Sequence, residues 1–458
     1  MEVAEMEVEK IYELIKNRQY VQARNALIEY NEVDIADFFE RLENKELIRI
    51  FRLLPKELSA EVFSYLPNEL RLQMVESFSD REVSDIMNEL FLDDTIDFLE
   101  EMPANVVRRV LSNANPKMRK LINQFLTYPE DSAGSLMTIE YVALKKDMTA
   151  SQAMDIIRKT GVDKETINTC YVVSPRRELE GAISIRNLIL AEPSQKIDSI
   201  MQPHVISVKT QDDQEQIAML FRKYSLSAMP VVDNENRLVG IITIDDIVEV
   251  IEQENTEDMH KMAAIEPSEE EYLKTGSFVL ARRRIIWLFV LMVSATFTGN
   301  IMRGYENVLA ASAILASFIP MLMDTGGNAG SQSATLIIRG IALGQIASRD
   351  VFRVLLKELT VGFVAGIVLG AANFIKILLV DNMIFKANIP ITLVWVVCLS
   401  VSLTVILSKV VGALLPLLAN KVRLDPAIMA SPIITTIVDA GALIIYFTLA
   451  VNFLGLFA

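Results

Sequence analysis

Two aspartates sit inside stretches that are otherwise apolar enough to lie in lipid. Asp439 falls in SPIITTIVDAGALIIYF, and Asp324 opens the run Asp324-Thr325-Gly326-Gly327-Asn328-Ala329-Gly330-Ser331-Gln332 within residues 308–338. A charged side chain at mid-bilayer costs at least about 2.5–3.5 kcal/mol on insertion scales, so such residues usually face a water-filled path. The three clustered glycines let backbones approach closely or let a helix loosen beside a cavity. A plainer role stays open for each acid: Asp439 can accept hydrogen bonds from a neighbouring helix, and Asp324 has Thr325 and Asn328 at hand. The only histidines are His204 and His260, which argues against an imidazole site for a transition metal. Carboxylate and carbonyl oxygens suit a hard cation such as Mg²⁺, which sheds water reluctantly, so its path should be wide and lined by few acids. One Asp439 from each subunit of a two-fold dimer would place two negative charges on the axis, matching a divalent ion.

The elements that must position these acids are apolar segments near 285–304, 308–338, 355–380, 389–419 and 427–456, each long enough to span roughly 30 Å of hydrocarbon. Arg282-Arg283-Arg284 precede the first; Arg339, Arg349, Arg353 and Lys357 separate the second from the third; Lys421 and Arg423 precede the fifth. The opposite loops, around Glu306 and Asp381, are poorer in cations, which predicts a cytoplasmic N-terminal portion and an outside C-terminus. From Arg282 onward there are 13 Lys and Arg against 7 Asp and Glu, and since the whole chain carries −15, residues 1–281 carry −21. A multi-pass membrane protein with a large acidic soluble portion is expected, and no nucleic-acid partner. The start, MEVAEMEVEKIYELIK, predicts no cleaved signal peptide, and Cys170 and Cys398, far apart, suggest no disulfide framework.

Residues 1–127 read as short helices with a repeat near twelve residues, marked by Leu54-Pro55, Leu66-Pro67, Phe78-Ser79, Met102-Pro103 and Asn115-Pro116. Such units stack into an all-α superhelix. Leu92-Asp93-Asp94-Thr95-Ile96-Asp97 puts Asp93 and Asp97 on one helix face, where like charges repel. A solvated helix start accounts for them; so does a divalent cation bridging them to another acidic domain.

Residues 128–254 hold two similar α/β units. The first runs from SLMTIEYVALKKDMTASQAMDII to TCYVVSPRRELEGAISIRNLI, the second from SIMQPHVISVKTQDDQEQIAMLF to SAMPVVDNENRLVGIITIDDIVEVI. Openings at Leu136-Met137-Thr138 and Ile200-Met201-Gln202-Pro203, with Gly181 and Gly240 before the last strand, resemble a tandem cystathionine-β-synthase (CBS) pair. That resemblance implies an adenosyl-nucleotide site built on a Ser/Thr-x-x-Asp on that strand. The second unit has Thr243 and Asp246; the first has Ser184 and Asn187, lacking the carboxylate for a ribose. One site, for a nucleotide such as ATP, or a purely structural tandem, is expected. A connecting helix over 255–281, carrying Glu254, Glu257 and Asp258 at its start, leads into the membrane domain of 282–458, with Asp425 level with the pore mouth just before the fifth span.

Together, YPEDSAGSLMT, ENTEDMHKM, PMLMDTGGNAGSQSATLIIR and the Asp439 segment resemble the MgtE family of magnesium channels across essentially the whole chain. The resemblance implies a homodimer in the cell membrane, each subunit with an N domain, CBS pair, plug helix and five spans. It implies a pore of the second and fifth helices, with Asp439 selecting Mg²⁺ and Asn328 facing or shaping it; Asp324, on the same helix, is a further pore-lining candidate from its own position. It also implies a cytoplasmic Mg²⁺ sensor built from Asp93, Asp97, Asp213, Glu215, Asp246, Glu249, Glu254, Glu257, Asp258 and Asp425. Ser225 stands where some relatives have an acid, and Glu249 replaces a shorter acid, so individual sensor sites are expected to be weaker.

Apart from the family, repulsion among the packed acids of a −21 portion predicts that cytoplasmic Mg²⁺ draws them together and closes the path. A carrier exchanging a divalent cation for H⁺ or Na⁺, with Asp439 as coupling acid, is the alternative. The chain offers no nucleophile–base pair, P-loop or metal-hydrolase motif, so no enzyme activity is expected.

Overall fold

A computed structural model describes residues 2–268, 272–273, 275–429 and 431–455. Residues 269–271 and 274 of the predicted connecting segment, and 430 and 456 of the predicted fifth span, lie outside the described residues. The chain forms two compact units, residues 1–250 and 251–458.

The first unit begins with ten short helices: α1 (Glu2–Lys16), α2 (Tyr20–Leu27), α3 (Glu32–Glu40), α4 (Asn44–Phe51), α5 (Lys56–Ser64), α6 (Asn68–Ser77), α7 (Asp80–Glu89), α8 (Leu92–Glu100), α9 (Ala104–Asn113) and α10 (Pro116–Phe125). The predicted markers are their starts. Pro55, Pro67 and Pro103 are N-caps, Ser79 and Glu82 form a reciprocal capping box, and Asn115 caps α10 ahead of Pro116. Helices this short are marginal alone. Contact between turns stabilises them: Phe39, Phe51, Phe63 and Phe98 form a ladder of rings with centroids 5.3–6.4 Å apart. The same apolar core runs on into the second α/β unit through Met137, Ile217, Met229, Ile242 and Ile247.

After α11 (Ala133–Leu136) come β1 (Ala143–Leu144), α12 (Ala150–Thr160), β2 (Thr169–Val173), β3 (Leu179–Ser184) and α13 (Ile185–Leu190). Then follow β4 (Val208–Lys209), α14 (Gln214–Tyr224), β5 (Ala228–Val232), β6 (Leu238–Thr243) and α15 (Ile244–Met262). Each sheet has order 1-2-3, first pair parallel and second antiparallel. The openings cross over. Thr138 and Ile241 exchange backbone hydrogen bonds at 2.8 Å, and Ala182 and Gln202 do so at 2.8–3.0 Å. This explains the paired glycines, which lie within β3 and β6, not before them. A Cβ at Gly240 would stand 2.8 Å from Met137 Sδ, and one at Gly181 would stand 2.9 Å from Met201 Sδ.

In the second unit, α15 corrects the predicted connecting helix of 255–281. It runs unbroken from the closing strand to Met262; the described residues between it and α16 (Ser277–Gly304) form turn and coil. Next come α17 (Glu306–Ala311), α18 (Ala313–Ala342), α19 (Val351–Lys376), continued by a π-helical turn over Ile377–Ile384, then α20 (Ile391–Lys421) and α21 (Ser431–Leu454). Four helical stretches, Ser277–Gly304, Ser348–Ile384, Ile391–Lys421 and Pro426–Leu454, are long and apolar enough to cross a membrane. α18 is as long, 30 residues or about 45 Å, and the polar run lowers its hydropathy. α20 is the central helix, packed on α18, α19 and α21, while α16 lies outside and buries only Thr298.

The glycines of α18 do not loosen it; the helix is continuous from Ala313 to Ala342. They let it pack closely. A Cβ at Gly326 would meet Thr404 and Val438 at 2.8 Å, at Gly327 Thr435 at 2.8 Å, and at Gly330 Ile434 at 2.7 Å. Gly412 of α20 lies directly against the Gly330 backbone.

Candidate cation path and acidic regulatory sites

Contacts of Gly326 with Val438, Gly327 with Thr435 and Gly330 with Ile434 make α18 and α21 antiparallel and set Asp439 of α21 at the level of Asp324 of α18, with Asn328 about one turn away. Asp439 is half-buried and has no hydrogen-bond or ion-pair partner among the described residues. The neighbouring Thr435 and Thr436 hydroxyls donate instead to Pro432 O, at 2.9 and 3.0 Å. The plainer role for Asp439, as acceptor to a neighbouring helix, thus has no donor. Asp324 is exposed and accepts from Asn328 Nδ2 at 3.1 Å. Amide and carboxylate form an i, i+4 pair on the exposed face of α18, while Thr325 makes no bond to either.

The second site lies where α15 meets the segment before α21. Lys261 Nζ pairs with Asp425 Oδ2 at 2.6 Å and with Glu257 Oε1 at 2.5 Å. Asp425 Oδ1 also accepts the Ala427 N–H at 2.8 Å, and Arg339 donates to Asn255 Oδ1 at 2.9 Å. Asp258, half-buried beside them, is pushed up to about 6 by burial first and then by the Asp425 charge, with Lys261 and Arg339 opposing. Two predicted sensor acids, Glu257 and Asp425, therefore already share a cation, the ammonium of Lys261. Glu254 sits half-buried one turn earlier on α15.

The third site lies between α8 and the CBS pair. Asp93 is 8% exposed; desolvation first, then the charges of Asp246, Asp94 and Glu165, raise it well above the usual carboxylate range. Asp94 and Asp246 are pushed up to about 6, each mainly by burial. Asp97 opens to solvent yet is walled by protein, and that desolvation with the Asp246 charge pushes it up to about 7. Glu165 reaches about 8 through burial and then Asp245, Asp246 and Asp94. Glu249, exposed on α15, adds its charge to Asp94 and Asp97. Arg71 is a cation whose charge reaches these acids. Its guanidinium lies 5.7 Å over the Phe98 ring, its Nε is buried without a hydrogen-bond partner, and its charge acts on Asp94 and is itself favoured by Asp97, Asp94 and Glu249.

Thr243 and Asp246 lie at the end of β6 and the first turn of α15, so the motif straddles strand and helix. The Thr243 hydroxyl donates to Asp246 Oδ2 at 2.7 Å. A ribose hydroxyl would have to share that carboxylate, so the pair fits a nucleotide only in part. In the first unit the equivalent Ser184 hydroxyl caps α13, accepting the Asn187 N–H at 3.2 Å. Asp213 and Glu215 are elsewhere, at the start of α14, where Asp213 accepts the Glu215 N–H at 3.0 Å. Ser225 is the left-handed C-cap of that helix (φ 51). Among the described residues no three His, Cys, Asp or Glu side chains converge as a direct metal site.

Sequence reasoning missed Glu165 and Arg71, which only the tertiary fold brings to α8, and Lys261, whose spacing four residues after Glu257 is visible in the sequence. It also missed Glu358 and Lys409, charges inside the third and fourth predicted spans that a closer scan of those windows would have flagged.

Acids within membrane-length helices, joined to a CBS pair beneath a helical repeat, define a multi-pass cation transport protein. Residues 319–449 match MgtE, a divalent cation transporter; residues 30–131 match the MgtE intracellular N domain; residues 133–194 and 197–253 match CBS domains. The chain belongs to the MgtE family, a family of transporters and not of enzymes. It is 38% identical over 431 residues to the magnesium transporter MgtE of Thermus thermophilus, covering 93% of this chain and 94% of that one. To the magnesium transporter MgtE of Bacillus subtilis it is 32% identical over 445 residues, 97% of each. Solved structures similar to it include two of magnesium-transport proteins. The soluble part of a magnesium transporter has 29% identity and a TM-score of 0.53, covering 55% of this chain and 99% of that one. The cytosolic domain of the Mg²⁺ channel MgtE in complex with ATP has 34% identity and a TM-score of 0.51, covering 53% and 99%.

Proposed function

We propose that this protein is a Mg²⁺-selective channel for Mg²⁺ uptake across the cell membrane, closed from the cytoplasmic side by Mg²⁺ itself. The observation that carries this reading is the Asp439 carboxylate, which lies in a membrane-length helix at the level of Asp324, about one turn from Asn328, with no partner among the described residues. An unpaired carboxylate there is expensive unless it faces water and cations. Hydrated Mg²⁺ would be held through its water shell, with Asn328 and Asp324 shaping the path and Asp439 supplying the charge. A two-fold homodimer would double that charge on the axis. The membrane potential, with cytoplasmic N domain and outside C-terminus, would drive the ion inward.

Closure follows from the crowded carboxylates. Asp93, Asp94, Asp97, Asp246 and Glu165 are held above their ordinary range by burial first and then by one another's negative charge. Mg²⁺ would supply positive charge, favour packing of α8 on the CBS pair, and shift the population towards the closed state. Glu254, Glu257, Asp258 and Asp425 would respond in the same sense, and Asp213 with Glu215 would form a separate, weaker site. ATP at the CBS pair would draw on Thr243 and Asp246.

The test is current recording from the purified, reconstituted chain with Mg²⁺ and ATP varied on the cytoplasmic side. Unitary Mg²⁺ currents above any carrier turnover, falling as cytoplasmic Mg²⁺ rises, are expected. Flux without unitary currents that depends on an H⁺ or Na⁺ gradient would establish the carrier reading instead.

A further inference from the structure

Charge in the membrane helices is not confined to the exposed face of α18. Glu358 of α19 and Lys409 of α20 are 8% and 7% exposed. Glu358 Oε2 accepts the Ser333 hydroxyl of α18 at 2.5 Å, and Lys409 Nζ donates to Gln332 Oε1 of the same helix at 3.0 Å. The two ions are neighbours. The Lys409 stem fills the space left by Gly362, one turn after Glu358, where an added Cβ would stand 3.3 Å from Lys409 Cβ. They lie within electrostatic reach without forming a direct ion pair. Two consecutive residues of α18 are thus gripped by opposite charges from two different helices.

Buried, desolvated charges are costly to leave unmatched, so this arrangement resists rotation. A roll of α18 about its axis would break both bonds and strand both ions. Gln332 continues the exposed face begun by Asp324 and Asn328 at intervals of four residues, so a grip on Gln332 fixes the direction of Asn328 one turn away. We propose that Glu358 and Lys409 are positioning residues for ion passage: a charge-compensated clamp that holds the roll of α18 and so aims the Asn328–Asp324 face. The inference rests on the reading that this face borders the ion path.

The experiment compares Mg²⁺ and Ca²⁺ flux in liposomes reconstituted with the full chain. Glu358→Gln and Lys409→Met are each expected to lower Mg²⁺ flux about tenfold and to narrow its preference over Ca²⁺. The double variant, in which no buried charge is left unmatched, should recover flux relative to either single change. Gln332→Ala leaves both charges and their packing in place and keeps the test alive if a single charge variant does not fold; it should also narrow the Mg²⁺ preference. Unaltered flux and selectivity in folded Glu358→Gln, Lys409→Met and Gln332→Ala would overturn the clamp, as would a double variant no better than the worse single one. Asn328→Ala separates the two claims. If it alters selectivity while the clamp variants do not, the clamp fails and the path reading stands; if it alters nothing, the path reading itself fails.

Discussion

At the scale of single residues, a lysine of α15 stands between two carboxylates that the proposed function assigns to Mg²⁺. Lys261 bridges Glu257 and Asp425. Such a partly exposed pair contributes at most about 1 kcal/mol, so Lys261→Met should raise current in Mg²⁺-free cytoplasmic solution about two- to fivefold. Cytoplasmic Mg²⁺ should still close the variant, because the freed carboxylates remain. Recording current against cytoplasmic Mg²⁺ checks both; an unchanged basal current or lost Mg²⁺ inhibition would contradict the assignment. The acids themselves give the complementary outcome. Asp93→Asn, Asp97→Asn, Asp246→Asn and Asp258→Asn together should leave current insensitive to cytoplasmic Mg²⁺, and normal inhibition would remove them from the sensor.

At the scale of elements, close packing of α18, α20 and α21 depends on glycine. Gly412→Ala drives a methyl group into the Gly330 backbone, and Gly326→Ala meets Thr404 and Val438 at 2.8 Å. Overpacking of this kind costs about 1–3 kcal/mol, so both variants should melt earlier in detergent and transport less. Gly299→Ala on α16 has nothing within 4 Å and should melt no earlier than the parent. Equal melting of all three would contradict the packing account. These elements were largely legible in the sequence: proline and serine marked the N-domain helices, and apolar length marked the spans. The role of the glycines was not, since the same triplet suits a loosened helix or a close contact, and only Thr435, Ile434 and Gly412 opposite them decide. Continuity of α15 past residue 254 was hidden for a similar reason. A domain boundary changes composition without breaking helix propensity.

At the scale of the whole molecule, the acidic faces couple packing to pH. Asp94 and Asp246 near 6, Asp97 near 7 and Glu165 near 8 all lie above ordinary carboxylates. Over that range the folded chain holds protons that the unfolded chain has released, so stability is gained as pH falls and lost as pH rises through about 6 to 8. In divalent-free buffer, hydrogen exchange of the α8 amides, corrected for its intrinsic pH dependence, should slow between pH 8 and pH 6. Adding Mg²⁺ at pH 8 should slow it likewise. Faster exchange at pH 6, or no response to Mg²⁺, would contradict the charge-crowding account. Asp93, Asp97 and Asp246 were legible as candidates from helical spacing and the CBS motif. Glu165 and Arg71 were not, because they reach α8 from distant parts of the chain. Glu358 escaped because it follows the flanking cation Lys357 and Lys409 because it stands alone in an apolar window, and only the bundle shows them as neighbours.

The central claim is that the unpartnered carboxylate of Asp439 carries the ion, and Mg²⁺ flux into liposomes holding Asp439→Asn tests it most directly. The account predicts flux no higher than in protein-free liposomes, from a variant that stays folded and melts no earlier than the parent. Mg²⁺ flux equal to that of the parent chain would contradict it.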